Sequence, residues 1–250
     1  MEELKPSFEA KYVREYGVHQ FEAIDGTPIT AISEPGWPKF CESFASLPQT
    51  GGYIVSPELI TDPDKVLEIP EHKDEILDDI ECAKEMSALQ PHAYILLGTA
   101  TFDNPFAQKP RNSLLILHRG KEVGRVNKRF LLSSSEQEVF EGDVSEAPTR
   151  LPKLGHAAII CSDLLMPSRY GMDSYGFINP VARTLLVSSK WASPLIDGMK
   201  VTDERFKNPL EIQVGQFFES FPNLQEIIMV DRAASETGLQ PFNAHFKRAS

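Results

Sequence analysis

Short apolar runs recur along this chain, and each is stopped within a few residues by a turn signal or a charge. "GGYIVSPELI" opens on Gly51 and Gly52 and is cut by Pro57, which has no N–H to give a sheet ladder. "AYILLGTATF" (93–102) reads as a buried strand. "NSLLILHRGKEVGRVNKRF" (112–130) reads as a hairpin that turns at Arg119-Gly120-Lys121. "GHAAIICSD" (155–163), "TLLVSSKWA" (184–192) and "EIIMVDRA" (226–233) read as further strands. Between Glu71 and Leu89 the pattern changes: Ile76, Ile80, Ala83 and Met86 recur at helical spacing with charges between them. Asn208-Pro209 fits a helix start, with Asn as cap and Pro at the first helical position. Leu210, Val214, Phe217, Phe218 and Phe221 then form an apolar stripe suited to a core. Strands and helices mixed along one chain predict layered sheets covered by helices, an α/β (α+β) architecture.

The remaining bulk properties narrow the function classes. The formal net charge is −11, which argues against a general nucleic-acid binder, because phosphate contacts need clustered Lys and Arg. No apolar run reaches the length of a membrane span, and "MEELKPSFEAKYVREYG" lacks the apolar centre of a signal peptide. Cys41, Cys82 and Cys161 are far apart and odd in number, so a disulfide framework is not expected and a reducing cytoplasm is the default location. The six histidines have no metal-ligand spacing, and no CxxC occurs. With 250 residues the chain is long enough for one large domain or two small ones, and it shows no internal repeat and no flexible linker.

One apolar run ends in an unusual way. "AAIICSDLL" stops on Cys161, with Ser162 and Asp163 directly after it. A thiol at a strand mouth reads either as a core cysteine or as a nucleophile. A nucleophile needs a base or a cation, because a free thiol with pKa about 8.5 is mostly protonated at neutral pH. His156 is the nearest histidine, but residues five apart on a strand point to opposite faces. Two other runs end in charge: Glu58 follows "IVSP", and Lys128 closes "GRVN". Each alone reads equally well as a solvated strand-end charge. Together they supply a carboxylate base, a cation and a thiol.

The stretches "IVSPEL", "RNSLLILHRGKEVGRVNKRFLL", "AAIICSDLLMP" and "LLVSSKWA", in this order and at these separations, resemble the nitrilase superfamily of carbon–nitrogen hydrolases. "MVDRAASETGLQPFNAHF" is similar to that family's late strand and the turn after it. The resemblance runs from about Tyr16 to Phe246. It implies a four-layer αββα sandwich formed as one domain over residues 1–250, and a Glu-Lys-Cys triad. Glu58 matches the glutamate of the first motif, Lys128 the lysine of the second and Cys161 the nucleophile of the third. A further glutamate holds the lysine; Glu136 fits best, with Glu138 as the alternative. The backbone N–H of Ser162 joins Lys128 around the oxyanion. The implied activity is hydrolysis of a non-peptide amide or carbamoyl C–N bond of a small molecule by way of a thioester, with water as second substrate and no metal or organic cofactor. A homodimer is implied as well. True nitrilases usually carry Trp-Glu after the cysteine, and Ser162-Asp163 here looks more like the amidase and carbamoylase branches.

The chain departs from the family pattern in three places. Ser168 follows Pro167 where a glutamate is common, Glu141-Gly142 replaces a Pro-Gly, and the chain stops soon after "NAHFKRAS" where relatives often continue with another strand. These departures motivate an alternative, a catalytically weak or inactive relative that acts by binding a ligand or partner. Substrate-lining loops are expected after Glu58, around Asn104–Arg111 and after Trp191.

Overall fold

The computed structural model describes residues 8–62, 66–102, 109–131, 134–142, 151–164, 178, 180–191, 195–196, 199–200, 203–233 and 241–249. In chain order the strands are β1 (Phe8–Val13), β2 (Gly17–Glu22), β3 (Pro28–Ser33), β4 (Gly52–Val55), β5 (Ala93–Thr101), β6 (Arg111–His118), β7 (Lys121–Asn127), β8 (His156–Ile160), β9 (Thr184–Trp191), β10 (Leu195–Ile196), β11 (Met199–Lys200), β12 (Glu226–Ala233) and β13 (Asn243–Arg248). The helices are α1 (Trp37–Ala45), α2 (Lys73–Leu89), α3 (Ser134–Val139) and α4 (Asp203–Ser220). One sheet has the order β2-β3-β4-β5-β6-β7 and the other β1-β13-β12-β9-β8. Strands β3, β4 and β5 run parallel, as do β8, β9 and β12, while β2, β6, β7, β1 and β13 pair antiparallel with their neighbours.

The alternation of side chains along each strand builds the layers. On β5, Ile95 and Leu97 pack against Phe40 and Phe44 of α1 and Ile76 and Ile80 of α2. The intervening Leu96 faces the other way, toward Ala158, Ile160, Leu186 and Ile228 of the second sheet. On β8, Ala157 and Ile159 turn outward onto Val214, Phe217 and Phe218 of α4. The stack is therefore helix, sheet, sheet, helix. Central strands are buried on both faces, which is why they read as continuous apolar runs rather than alternating ones.

Two expectations change. Helix α4 begins at Asp203, so Asn208-Pro209 lies inside it rather than at its start. Pro209 removes one i→i−4 bond, and packing of the downstream stripe into the core outweighs that local loss. The trailing "NAHFKR" is itself a strand, β13, paired antiparallel to β12 on one side and to β1 on the other, with Phe8 opposite Arg248. Ser168 and the stretch 103–108 lie outside the described residues.

Candidate active site

Four strand ends meet at one rim. In open α/β sheets ligands bind outside the carboxyl ends of the strands, and here β4, β7, β8 and β9 deliver Glu58, Lys128, Cys161 and Lys190 at or just beyond their carboxyl ends. Pro57 ends β4, and the chain then turns across β5 in a series of bonds. The Ser56 hydroxyl accepts from Gly98 N–H at 2.9 Å, Ile60 N–H donates to the Gly98 carbonyl at 2.8 Å, and the Asp62 carboxylate accepts from Ala100 N–H at 3.0 Å. Leu59 takes the left-handed conformation within this turn, with φ 53°. The turn fits only because residue 98 is glycine. A Cβ there would lie 2.8 Å from Glu58 Cα and 3.0 Å from Leu59 N, and closer still to the Pro57 carbonyl oxygen.

Glu58 is buried, and its carboxylate accepts three hydrogen bonds. Lys128 Nζ donates to Oε1 at 2.7 Å, Asn112 Nδ2 donates to the same oxygen at 2.6 Å, and the backbone N–H of Lys190 donates to Oε2 at 3.1 Å. Lys128 is buried as well and also donates to Glu136 Oε1. Glu138, two residues on, is exposed. Burial works against the Lys128 ammonium, but Glu58, Cys161 and Glu136 outweigh it and hold its pKa well above the ordinary lysine range. Lys128 thus stays a cation between two carboxylates.

Cys161 sits at the end of β8 with φ 41°, a left-handed conformation that costs energy for a non-glycine residue, and opens a tight turn over Cys161–Leu164 that includes Ser162. Its Sγ lies 3.8 Å from the Lys190 carbonyl oxygen, as donor to it. The single residue Lys190 therefore contacts the base candidate with its N–H and the thiol with its C=O. It can do so because it lies two residues past the last β8–β9 pair, Ile160 with Ser188. Asp163 ties the same turn to the segment after Lys128: its carboxylate accepts from the backbone N–H of Phe130 at 3.0 Å and of Arg129 at 3.2 Å. Burial pushes the Asp163 carboxyl up to about 7 despite those bonds.

Burial pushes the Cys161 thiol well above its ordinary pKa, the Glu58 charge adds to this, and Lys128 offsets only part of it. Cys161 is a neutral thiol at rest, so it must pass its proton to a neighbour at the moment of reaction. His156 takes no part. It is bonded to Asp25 Oδ2 at 3.1 Å, at the opposite end of β8.

No family model matches the sequence, and no curated protein matches it in sequence. Solved structures do match in fold. Nit3 of Saccharomyces cerevisiae, a member of branch 10 of the nitrilase superfamily, is 12% identical with a TM-score of 0.58, the match covering 85% of this chain and 78% of that one. An amidase, NitN, from Nesterenkonia sp. AN1 is 11% identical with a TM-score of 0.60 over 96% of this chain and 92% of that one. A variant of the same amidase, 10% identical with a TM-score of 0.58 over 96% and 90%, carries the acetamide moiety of fluoroacetamide covalently added at its active-site cysteine. The chain has the nitrilase-superfamily fold. On that fold the structure brings Glu58, Lys128, Cys161 and Glu136 together, and adds three residues that sequence reasoning passed over. Asn112, Gly98 and Lys190 contribute a side-chain donor, the absence of a side chain and a backbone; Asn112 and Lys190 stood within stretches quoted for the resemblance, but neither was singled out.

Proposed function

We propose that this protein hydrolyses the C–N bond of a small amide or carbamoyl compound through a thioester on Cys161. The observation that carries this reading is the shared contact at Lys190, which holds the Glu58 carboxylate and the Cys161 thiol on one residue beside a buried lysine cation. Cys161 Sγ attacks the carbonyl carbon while its proton passes to Glu58. The C=O electron pair moves to oxygen, where Lys128 and the Ser162 N–H stabilise the oxyanion; one such donor is worth on the order of 3 kcal/mol of barrier in other enzymes. The oxyanion collapses, the C–N bond breaks and the amine leaves with the Glu58 proton. Glu58 then takes a proton from water as the water attacks the thioester, and the thiol is regenerated as the acid departs. A resting neutral thiol fits this scheme, because the base acts only when the electrophile is in place.

Ser162-Asp163 after the nucleophile supports an amide or carbamoyl substrate over a nitrile. The covalent acetamide adduct of the Nesterenkonia amidase is the kind of species this chain would form. The protein is further proposed to act in the cytoplasm as a homodimer; among the described residues no helix is long and apolar enough to cross a membrane. Incubation with a panel of amides, carbamoyl compounds and nitriles, read by ammonia release, tests the reading. Release from amides or carbamoyl compounds that is abolished in Cys161→Ala is the expected result.

A further inference from the structure

Asn112 stands at the start of β6 and is 1% exposed. It reaches both charged members of the site. Its backbone carbonyl accepts the N–H of Lys128 at 2.8 Å, and its Nδ2 donates to Glu58 Oε1 at 2.6 Å. The amide orientation is not ambiguous here. A carboxylate only accepts, so the NH2 end must face Glu58. Asn112 Oδ1 is buried and has no hydrogen-bond partner among the described residues, so the bond to Glu58 is the one side-chain hydrogen bond this asparagine makes among them.

We infer that Asn112 is a positioning residue for the proposed reaction, one that fixes the Glu58 carboxylate so that Oε1 faces Lys128 while Oε2 is left on the side of Lys190 and Cys161. Without the Asn112 donor, Oε1 keeps one bond instead of two, and the carboxylate is held only by Lys128 on Oε1 and by the longer Lys190 N–H bond on Oε2. Proton transfer from Cys161 then slows, since it depends on the direction in which Oε2 points. The inference rests on the reading of Glu58 as base, and the two are separated by an assay that needs no substrate.

The assay is the rate of Cys161 alkylation by iodoacetamide, mapped by peptide mass, across pH 5.5 to 9 (an experimental range of about 3.5 units spanning the ordinary His and Cys pKa values). Wild type, Glu58→Gln and Asn112→Leu are compared, with unfolding midpoints measured in urea. Leucine matches asparagine in shape and removes the empty acceptor. The expected result is a fall of about tenfold in alkylation for Asn112→Leu with a changed pH dependence, because the group that takes the thiol proton is no longer held in place. Asn112→Asp keeps the shape and replaces the donor by an acceptor, and it gives the same ordering should the leucine variant not fold. If Glu58→Gln slows alkylation and both Asn112 variants react like wild type, the positioning role is wrong and the base assignment stands. A lowered unfolding midpoint with an unmoved pH dependence makes Asn112 structural only, and again overturns the inference. If Glu58→Gln has no effect, the base assignment itself falls, and the inference with it.

Discussion

Replacing Gly98 by alanine is a one-carbon change on a strand that carries no reacting group, yet it should disable the site. The new Cβ would lie 2.8 Å from Glu58 Cα and 3.0 Å from Leu59 N, with the Pro57 oxygen nearer. Ordinary carbon contacts begin near 3.5 Å, so the Pro57–Leu59 turn must retreat by about 1 Å. The turn cannot retreat freely, because Ile60 N–H and the Asp62 carboxylate are bonded to β5 at Gly98 and Ala100. Glu58 therefore moves relative to partners that stay behind. Its bonds to Asn112 and Lys128, now 2.6 and 2.7 Å, stretch toward the limit at which hydrogen bonds fail. Misplacement of a reacting group by about 1 Å costs on the order of 100-fold in rate, and overpacking of this kind costs about 1–3 kcal/mol of stability. Ammonia release per titrated Cys161, together with a urea unfolding curve, separates the two effects. Turnover within threefold of wild type would refute the claim that Gly98 is what lets the Glu58 turn lie on β5.

Other changes probe the same network and its surroundings. Glu58→Gln keeps the shape but cannot take the thiol proton or activate water, so turnover should fall about 10²–10⁴-fold, with any acyl adduct on Cys161 persisting in intact mass spectra. Lys128→Ala should lose about 3–5 kcal/mol of stability in urea unfolding, because the buried Glu58 and the partly buried Glu136 carboxylates are left without their cation. Alkylation of Cys161 should depend on Glu58, whereas alkylation of the exposed Cys82 should not; equal loss at both positions in Glu58→Gln would contradict the local coupling. At the far end of β8, burial holds the His156 pKa below its ordinary 6.5 despite Asp25. The unfolded chain then takes up this proton at higher pH than the folded one. The contribution of His156 is fully present above about 6.5 and is lost as pH falls through the folded value. His156→Gln should flatten the fall in unfolding midpoint between pH 7.5 and 5 (roughly one unit above and one and a half below the ordinary histidine pKa), and an unchanged slope would count against it.

The strands that carry the site were legible because they are buried on both faces. "AYILLGTATF" and "GHAAIICSD" hold apolar residues at every position a core strand needs, and Pro57 marks where β4 stops. The edge strand β1 and its neighbour β13 were not. "FEAKYV" and "NAHFKR" alternate polar or charged residues with single apolar ones, and their strand character comes from long-range pairing, β1 with β13 across 230 or more residues and β13 with β12 on its other side. The start of α4 was misread because Asn208-Pro209 is a strong local helix-start signal, and only packing of the whole helix overrides it. Within the site, the residue types at 58, 128 and 161 could be read, but the charge state of Cys161 could not. It turns on burial against the Glu58 charge, and neither is written in local sequence. Gly98 and Lys190 were passed over for a related reason. One acts by lacking a side chain and the other through its backbone, so neither has a chemical signature in one dimension.

The most direct test of the account is a peptide-mapped mass spectrum of protein quenched in acid during turnover of a small amide. The account predicts a mass increase equal to the acyl group of that amide, confined to the peptide containing Cys161, and absent in Cys161→Ala together with ammonia release. An acyl group on another residue, or ammonia release that survives Cys161→Ala, would contradict it.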